Sequence, residues 1–357
     1  MGNKNQSSNP ANPTPEKVQN KAQDHQHNSS FATGVIIILI SSMVISFQNI
    51  ITRVILSKKV VLGVWETGGF ISPSMGNSIL ILVLRMLIAL PILAFLVAPR
   101  IYHNTWPDVR SIFDPQNKTK FYSSIGSGVF LFLSSFSIYL ALGSIPTGVA
   151  TTIFFIYPTV IILLLWIFFK EKPALSLVFA MATIYIGGFL TIPEESFHAR
   201  GEGNILVGAI SAAIAGITFA GYVIMIRIAK MHPAPFSIIS FTTILILGSL
   251  MLPLFDWHVE ADQWTPLLIG TVALAVTTLV GYLLNNFGVP IIGPALTSVI
   301  SASGPAVTAL FALVIINETL TLHQVIGVSL VTLWVIGISV ENLKKVKPAP
   351  PKPEEAK

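Results

Sequence analysis

Ten long apolar runs constrain this chain more than any other feature of its sequence. A helix that crosses the ~30 Å hydrocarbon core of a bilayer needs about 20 mostly apolar residues. Runs of that kind occupy residues 33–56, 78–98, 122–143, 147–169, 174–192, 204–226, 235–254, 265–287, 294–316 and 322–341. Because lipid does not tolerate unpaired backbone groups, the sequence predicts an all-α membrane protein of ten transmembrane helices.

Composition supports a membrane location and removes several kinds of chemistry. Only 10% of the 357 residues are charged, whereas a soluble domain carries roughly 25% charged residues. The chain has no cysteine, which excludes disulfides and thiolate metal sites. Its histidines lack metal-ligand spacing, and no Gly-rich phosphate-binding loop with its Lys is present. We therefore expect no metal, no cofactor and no ATP-driven step.

The distribution of basic residues predicts the orientation of the chain. If the N-terminus is cytoplasmic, sixteen of the 21 Lys and Arg residues fall in cytoplasmic segments, four fall outside, and Arg85 lies within a span. An excess of Lys and Arg marks the cytoplasmic side of membrane proteins. Both termini are therefore predicted to be cytoplasmic, which agrees with an even number of spans.

An internal repeat divides the chain into two halves. Residues 153–171 align with residues 300–318 at an offset of 147, which places Pro158 on Pro305 and a terminal glutamate on a terminal glutamate. Five spans per half is an odd number, so the halves must face opposite ways, with a solute site between them near the midplane. The predicted units are a disordered cytoplasmic tail at 1–30, five-helix repeats at 31–192 and 204–341, and a cytoplasmic tail at 342–357.

The order of several short motifs resembles the EamA-type branch of the drug/metabolite transporter superfamily. The matching residues are Arg85, Ala141-Leu142, Ile145 to Ala150, Pro158, Lys170-Glu171, Pro294 to Leu296, Pro305, Asn317 to Leu320 and Gly327. The resemblance implies two inverted EamA-like repeats and a multi-pass location in the plasma membrane, which is the inner membrane in a bacterium. It also implies transport of metabolites such as amino acids, often as export. A long segment near residues 63–77 departs from the family pattern and leaves the substrate open.

Transport of a small metabolite by alternating access is the function that these features predict. One alternative is a nucleotide-sugar or phosphate-ester carrier, although such solutes need several basic residues at membrane depth and only Arg85 qualifies. A non-transporting scaffold or receptor is another. No catalytic residues are predicted, because the spans lack paired acids or a Ser with a base. The expected partners are a small-molecule metabolite and the lipid bilayer, with a homodimer left open and no nucleic acid.

Arg85 is the charge that points most directly to a site. An Arg inside a span costs at least ~2.5–3.5 kcal/mol on insertion scales, and no Asp or Glu lies deep in any predicted span. The side chain must therefore face a wet cavity, backbone carbonyls or an anionic group of the solute. Snorkelling towards the helix end, or pairing there, is the competing interpretation.

Uncharged polar side chains at membrane depth supply the other candidates for solute binding, because each amide or hydroxyl needs a partner in lipid. They are Gln48, Asn49, Tyr139, Tyr157, Tyr222, Asn285, Asn286 and Ser301. For any one of them, an interhelical hydrogen bond worth under ~1 kcal/mol is a sufficient explanation. As a set drawn from both halves, they suit a site for a polar, amphiphilic metabolite.

The two repeated prolines are candidates for kinks or gating. Pro158 has no N–H, so the carbonyl of Phe154 loses its helical partner. Pro305 has the same effect on the carbonyl of Ser301. Freed carbonyls and kinks near the midplane are common in transporter sites. A packing kink without a transport role is the alternative for each proline alone.

The two repeated glutamates lie at helix ends. Glu171 and Glu318 are each followed by a short turn, which favours a structural role in that turn. Proton coupling is the competing role. It receives less support because neither carboxylate occupies the middle of a span.

Overall fold

The computed structural model describes residues 15–145, 147–172, 175–190 and 205–315, together with short pieces between 321 and 337. Within these residues the protein is nearly all helical, as the apolar runs predict. The helices are α1 (Pro15–Leu56), α2 (Met75–Pro91), α3 (Ala98–Ile101), α4 (Thr105–Ser111), α5 (Lys118–Ser144), α6 (Thr147–Phe154), α7 (Tyr157–Phe169), α8 (Leu175–Leu190), α9 (Ile205–Ala229), α10 (Pro233–Met251), α11 (Trp264–Ile292), α12 (Pro294–Ser301) and α13 (Gly304–Ile315). A π-helical stretch, Ile92–Val97, joins α2 to α3.

Eight stretches of helix in the described residues are long and apolar enough to cross a membrane. They are Ser30–Leu56, Met75–Ile101, Pro115–Leu142, Ala150–Phe169, Leu206–Ala229, Pro233–Leu254, Ala261–Ile292 and Pro294–Ile315. Each corresponds to one of the predicted spans. The fifth predicted span coincides with α8, which contains a shorter apolar helix at Leu177–Gly187. The tenth, 322–341, lies largely outside the described residues.

Helix α1 begins earlier than the sequence suggests. The tail at 1–30 is expected to be disordered, but the helix starts at Pro15 and continues without interruption into the first span. Proline suits the first turn of a helix, and the Glu, Lys, Gln and Ala residues that follow are good helix formers. These residue types are compatible with a helix over residues 15–30 that continues into the first span.

A small β-hairpin occupies the segment between the first two spans, where the sequence predicts no regular structure. Its antiparallel strands are β1 (Lys58–Val61) and β2 (Trp65–Gly68). The hairpin turn contacts the end of α13, because Leu62 N donates to the Ile315 carbonyl at 2.6 Å. Gly68 has φ +107°, and a Cβ there would lie 2.3 Å from the Val54 carbonyl oxygen, so the close return to α1 requires glycine.

Helix α1 packs antiparallel against α11 along most of its length. Ser41 Oγ donates to the Gly281 carbonyl at 2.8 Å. Further along α1, Ile55 packs against Gly270, which lies earlier in α11. Lipid provides no hydrophobic drive for helix association, so close approach at small residues and interhelical hydrogen bonds hold such pairs together.

Helices α5 and α9 form a second antiparallel pair. Ser134 Oγ donates to the Ala215 carbonyl at 2.9 Å. Gly208, near the start of α9, lies against Ile145, just beyond the end of α5. The largest buried apolar cluster fills the space between α2, α5, α9, α10 and α11.

Two helices are interrupted at equivalent points of the chain. α6 ends at Phe154 and α7 begins at Tyr157. α12 ends at Ser301 and α13 begins at Gly304. Both boundaries are separated by the same 147 residues as the sequence repeat. The interruptions adjoin the two prolines predicted to disturb their spans, because proline lacks the backbone donor that would continue the helix.

The ends of the helices gather on two faces of the molecule. One, which we name the Arg227 face, contains Glu171, Arg227 and Gly293. The other, the hairpin face, contains the β-hairpin, Ile145 and Ile315. The first interrupted helix therefore runs from the hairpin face to the Arg227 face, and the second runs in the opposite direction.

Candidate functional site

A narrow cavity lies at the level of the two helix interruptions. Its volume is about 80 Å³, below the roughly 300–1,000 Å³ of pockets that hold drug-sized ligands. Seven of the side chains predicted to bind solute line it: Gln48, Asn49, Arg85, Tyr139, Tyr157, Asn285 and Ser301. They come from α1, α2, α5, α7, α11 and α12, so helices from both halves of the chain form the wall.

Arg85 is buried in this wall, with 1% of its surface exposed. Its terminal nitrogens donate to the Tyr139 hydroxyl at 2.9 Å and to Ser135 Oγ at 3.2 Å. Its Cζ lies 5.7 Å from the Tyr139 ring centroid. No carboxylate of the described residues lines the cavity. Because an arginine stays charged in proteins, the cavity contains one positive charge, and the side chain does not adopt the snorkelling geometry that would bring it to the membrane surface.

The sequence of α2 explains why this charge faces the interior. Ser74 caps the helix, because its hydroxyl accepts a hydrogen bond from Asn77 N at 3.1 Å. Met86 and Ala89 are both buried and share the inner side of the helix with Arg85. Residues three or four apart lie on one side of a helix. Arg85 therefore lies on the same side of α2 as these buried residues, and that side faces the protein interior.

Two hydrogen-bond donors in the wall make no hydrogen bond of standard geometry among the described residues, although Asn285 lies beside the Tyr222 hydroxyl. They are Arg85 Nε and Asn285 Nδ2. Asn285 is 3% exposed, so its side chain lies away from the protein surface. Gln48, by contrast, accepts a hydrogen bond from the Thr278 hydroxyl at 3.1 Å. An unpaired buried donor costs about 1–3 kcal/mol, and an acceptor on a bound solute would remove that cost.

Aromatic side chains form the apolar part of the wall. Phe154, Phe155 and Phe219 surround Tyr157, with ring centroids 5.3, 5.5 and 4.9 Å from its ring. Tyr282 lines the cavity from α11. These separations fall in the range of roughly 4.5–7 Å that aromatic pairs prefer. The cavity therefore combines a charged, hydrogen-bonding side with an aromatic side.

Tyr222 and Asn286, also predicted to bind solute, lie outside the set of residues that line the cavity. The Tyr222 hydroxyl donates to Asn286 Oδ1 at 2.5 Å, and Asn286 Nδ2 donates to Ser237 Oγ at 2.8 Å. All three side chains are fully buried. These bonds connect α9, α10 and α11, which is the interhelical role that the sequence left open for such residues.

Pro158 stands directly after the first interruption, as the second residue of α7. The Phe154 carbonyl that it leaves without a helical partner faces α9. A Cβ on Gly216 would lie 2.5 Å from that oxygen. The glycine therefore allows the backbone of α9 to pack against the interrupted helix at this point.

Pro305 occupies the same place in the second interrupted helix, as the second residue of α13. The Ser301 carbonyl, predicted to be freed, accepts a hydrogen bond from Ser42 Oγ at 3.4 Å. Ser46 Oγ donates to the carbonyl of Gly304, the first residue of α13, at 3.2 Å. Hydroxyls of α1 thus satisfy the backbone around this interruption.

An ion pair joins α7 to α9 on the Arg227 face. Glu171 accepts two hydrogen bonds from the guanidinium of Arg227 in a fork, one of them at 2.8 Å. Arg227 Cζ also lies 4.4 Å from the Phe169 ring centroid. The hydrogen bond from Arg227, with its charge, lowers the pKa of Glu171. Glu318, the matching residue of the second half, lies outside the described residues.

Open recesses flank the cavity on both faces. The recess on the Arg227 face measures about 730 Å³ and includes Arg227 and Lys230 in its wall. The recess on the hairpin face measures about 250 Å³ and includes Arg53 and Lys59. Leu142 belongs to the wall of this smaller recess and to the wall of the cavity, so the two spaces are neighbours.

Several residues that shape the cavity were not indicated by the sequence. They are Ser135, Phe154, Phe155, Phe219 and Tyr282. Ser135 lies four residues before Tyr139, a spacing that places both on one side of a helix, and that spacing is the signal that could have identified it. The phenylalanines have no comparable signal in a chain with 22 of them. Among the described residues, no group of three His, Asp or Glu side chains could hold a metal ion.

Apolar helices long enough to span a membrane, packed around a buried charge, define the class of this protein as a multi-pass membrane protein. Residues 206–340 match the EamA-like transporter family. The chain is 38% identical over 319 residues to "Uncharacterized transporter sll1319" of Synechocystis sp. (strain ATCC 27184 / PCC 6803 / Kazusa), a match that covers 88% of this chain and 95% of that protein. The chain therefore belongs to the EamA-like transporter family, within the drug/metabolite transporter superfamily.

A solved crystal structure shares this fold. It superposes with a TM-score of 0.60 over 89% of this chain and 99% of the other, at 15% sequence identity. At that identity the likeness concerns the fold alone. The family resemblance expected from the ordered motifs is confirmed by the family match and the relative.

Proposed function

We propose that this protein is a secondary transporter that moves small polar or amphiphilic metabolites, a class that includes amino acids and related compounds, by alternating access. The observation that carries the proposal is buried Arg85 in a cavity that is lined by helices of both halves and that also includes the buried amide of Asn285. A buried charge without a charged partner is costly. Ionisable side chains at membrane depth usually serve a solute path.

The interrupted helices support an architecture of two inverted five-helix repeats, at 31–192 and 204–341. Their boundaries match at one offset, and they run in opposite directions between the two faces. Discontinuous helices of this kind frame the solute site of many secondary transporters near the midplane. Helix α8 and the segment 322–341 would complete ten spans.

The recesses on both faces support alternating access. Rocking of one repeat against the other would open one recess to the cavity and close the other. The distribution of Lys and Arg favours cytoplasmic termini and a cytoplasmic Arg227 face, in the plasma membrane or, in a bacterium, its inner membrane. The resemblance favours export from the cytoplasm, and a homodimer is compatible with it.

Two alternatives receive less support. A nucleotide-sugar or phosphate-ester carrier needs several cations for a multiply charged solute, and Arg85 is the only Arg or Lys among the described residues that line the cavity. In a non-transporting scaffold, no solute would supply hydrogen bonds to the buried donors at membrane depth, and their unfavourable burial energy would remain.

Reconstitution tests the proposal. Purified protein in proteoliposomes is expected to accelerate the flux of at least one solute from a labelled panel of amino acids and small organic anions, measured with and without a proton gradient. Arg85→Gln is expected to lower that flux at least about tenfold, a loss of about 1.4 kcal/mol of stabilisation. Arg100→Gln is the matched control, because Arg100 is exposed and donates to the Leu96 carbonyl at 2.6 Å. Flux no faster than in protein-free vesicles, for every solute, would overturn the proposal.

A further inference from the structure

We infer that the solute of this cavity is an organic monoanion, namely a monocarboxylate with an apolar body and no ammonium group. The inference rests on the proposed function and narrows it, since it favours carboxylic acids over amino acids, amines and dicarboxylates. Three features of the cavity lead to this class: its unpaired donors, its charge and its aromatic side.

The unpaired donors suit a carboxylate. Arg85 Nε and Asn285 Nδ2 are both buried and make no hydrogen bond of standard geometry among the described residues. Both side chains line the same cavity, from α2 and α11. A carboxylate has two oxygens and can accept from donors on both helices at once. Hydrogen bonds to a charged acceptor are also roughly twice as strong as neutral ones.

An ammonium group would find a poor environment in the same place. No Asp or Glu of the described residues lines the cavity, so the group would meet no countercharge. Two neutral acceptors on the wall already receive hydrogen bonds. Gln48 Oε1 accepts from Thr278 at 3.1 Å, and the Ser301 carbonyl accepts from Ser42 at 3.4 Å.

Charge balance separates the anions from one another. Arg85 supplies one positive charge, and the described wall supplies no negative one. A monocarboxylate makes the occupied cavity neutral, which removes much of the penalty for holding a charge away from water. A zwitterion leaves the occupied cavity with a net charge of +1, because its carboxylate offsets Arg85 but its ammonium group is a second buried cation. A dicarboxylate leaves an uncompensated negative charge.

The aromatic side of the cavity suits an apolar body. Phe154, Phe155, Phe219 and the rings of Tyr157 and Tyr282 all line it. Burial of apolar solute surface there is worth about 25 cal/mol per Å². The cavity of about 80 Å³ admits only a few water molecules, so the walls must separate towards a recess when such a solute binds.

Four solutes on a common phenyl skeleton test the inference. 3-Phenylpropanoate is a monoanion, phenylalanine a zwitterion, 2-phenylethylamine a cation and phenylsuccinate a dianion at neutral pH. In proteoliposomes, 3-phenylpropanoate is expected to move at least about tenfold faster than each of the other three, which corresponds to about 1.4 kcal/mol. In detergent, it alone is expected to raise the melting temperature of the purified protein, because a ligand stabilises the state that binds it.

Variants connect this selectivity to the two donors. Arg85→Gln is expected to abolish both the preference for 3-phenylpropanoate and the rise in melting temperature. Asn285→Ala is expected to weaken both about tenfold, and it keeps the test available if Arg85→Gln does not fold. Arg100→Gln, an exposed arginine of the same span, is expected to behave as the wild type.

The outcomes distinguish the inference from the proposed function. Faster flux of phenylalanine, the amine or the dianion, equal flux of all four, or transport of unrelated solutes with no response to 3-phenylpropanoate would overturn the inference and leave transport intact. Binding of 3-phenylpropanoate without flux of any solute would overturn transport while the anion site remained. Neither binding nor flux would overturn both.

Discussion

At the scale of single residues, the hydroxyls around Arg85 determine how its charge is held. The Tyr139 hydroxyl receives a hydrogen bond at 2.9 Å from one terminal nitrogen, and Ser135 receives one from the other. Both acceptors are neutral, so they orient the guanidinium without cancelling its charge. The charge therefore remains available to a solute, while the direction of the side chain is set by α5.

Removal of the Tyr139 hydroxyl tests this orientation. Tyr139→Phe is expected to lower the free energy of unfolding by about 1.5 kcal/mol. This value is at the low end of what a hydrogen bond to a charged group contributes to stability. It is at the high end of what interhelical hydrogen bonds contribute in membrane proteins. Tyr122→Phe is the matched control on the same helix, because Tyr122 is 69% exposed. Denaturant unfolding in micelles measures both. Equal costs for the two changes would contradict the role assigned to the Arg85 bond.

At the scale of helices, the interruption between α6 and α7 depends on close packing as well as on Pro158. The proline removes a backbone donor, and the Phe154 carbonyl then lies against Gly216 of α9. Backbone cannot move aside as a side chain can, so this contact has little room for an added methyl group.

Gly216→Ala is expected to destabilise the protein by about 1–3 kcal/mol and to reduce transport, because the new Cβ would lie 2.5 Å from the Phe154 carbonyl oxygen. Gly126→Ala on α5 is the matched control. A Cβ there meets its nearest atom, Met225 Sδ, at an ordinary 3.6 Å, and alanine is the better helix former by roughly 0.5–1 kcal/mol. Thermal unfolding and proteoliposome flux are the measurements. A stable, fully active Gly216→Ala variant would show that α9 does not pack closely at the interruption.

At the scale of the whole molecule, the Glu171–Arg227 pair connects the end of α7 in the first half to the end of α9 in the second. The side chains are 49% and 30% exposed. Exposed pairs of this kind contribute about 0–1 kcal/mol. A link of this strength holds the two halves together on one face without preventing their separation.

The pH dependence of stability tests this link. Because Arg227 lowers the pKa of Glu171 in the folded protein, the pair's contribution is complete above the usual pKa of a glutamate and is lost as the pH falls through the lowered value. Glu171→Gln is therefore expected to cost less than about 1 kcal/mol at neutral pH and nothing below the lowered pKa. Unfolding of both forms across the acid range gives the comparison. A difference that persists at the acid end would exclude the ion pair as its cause.

Much of this architecture can be predicted from the sequence. Span length and hydropathy identify the eight long helices, because the bilayer imposes one length on every crossing. The repeated prolines, each the second residue of the helix after the break, mark the position of both interruptions. The helix in residues 15–30 and the β-hairpin were not predicted. A polar helix and a short hairpin have only weak sequence patterns, and the surrounding structure can override them.

The order of residues is enough to establish that Arg85 lies inside a predicted span without an acid at its depth, because it fixes which charges each span contains. Which polar residues share a cavity with Arg85 depends on how the helices pack. Gln48, Tyr139 and Asn285 meet it there, whereas Asn286, one residue further along α11, turns to Tyr222 and Ser237. Adjacent residues on a helix point about 100° apart, so the packing of the helices, rather than the presence of an amide, determines whether a side chain reaches the cavity.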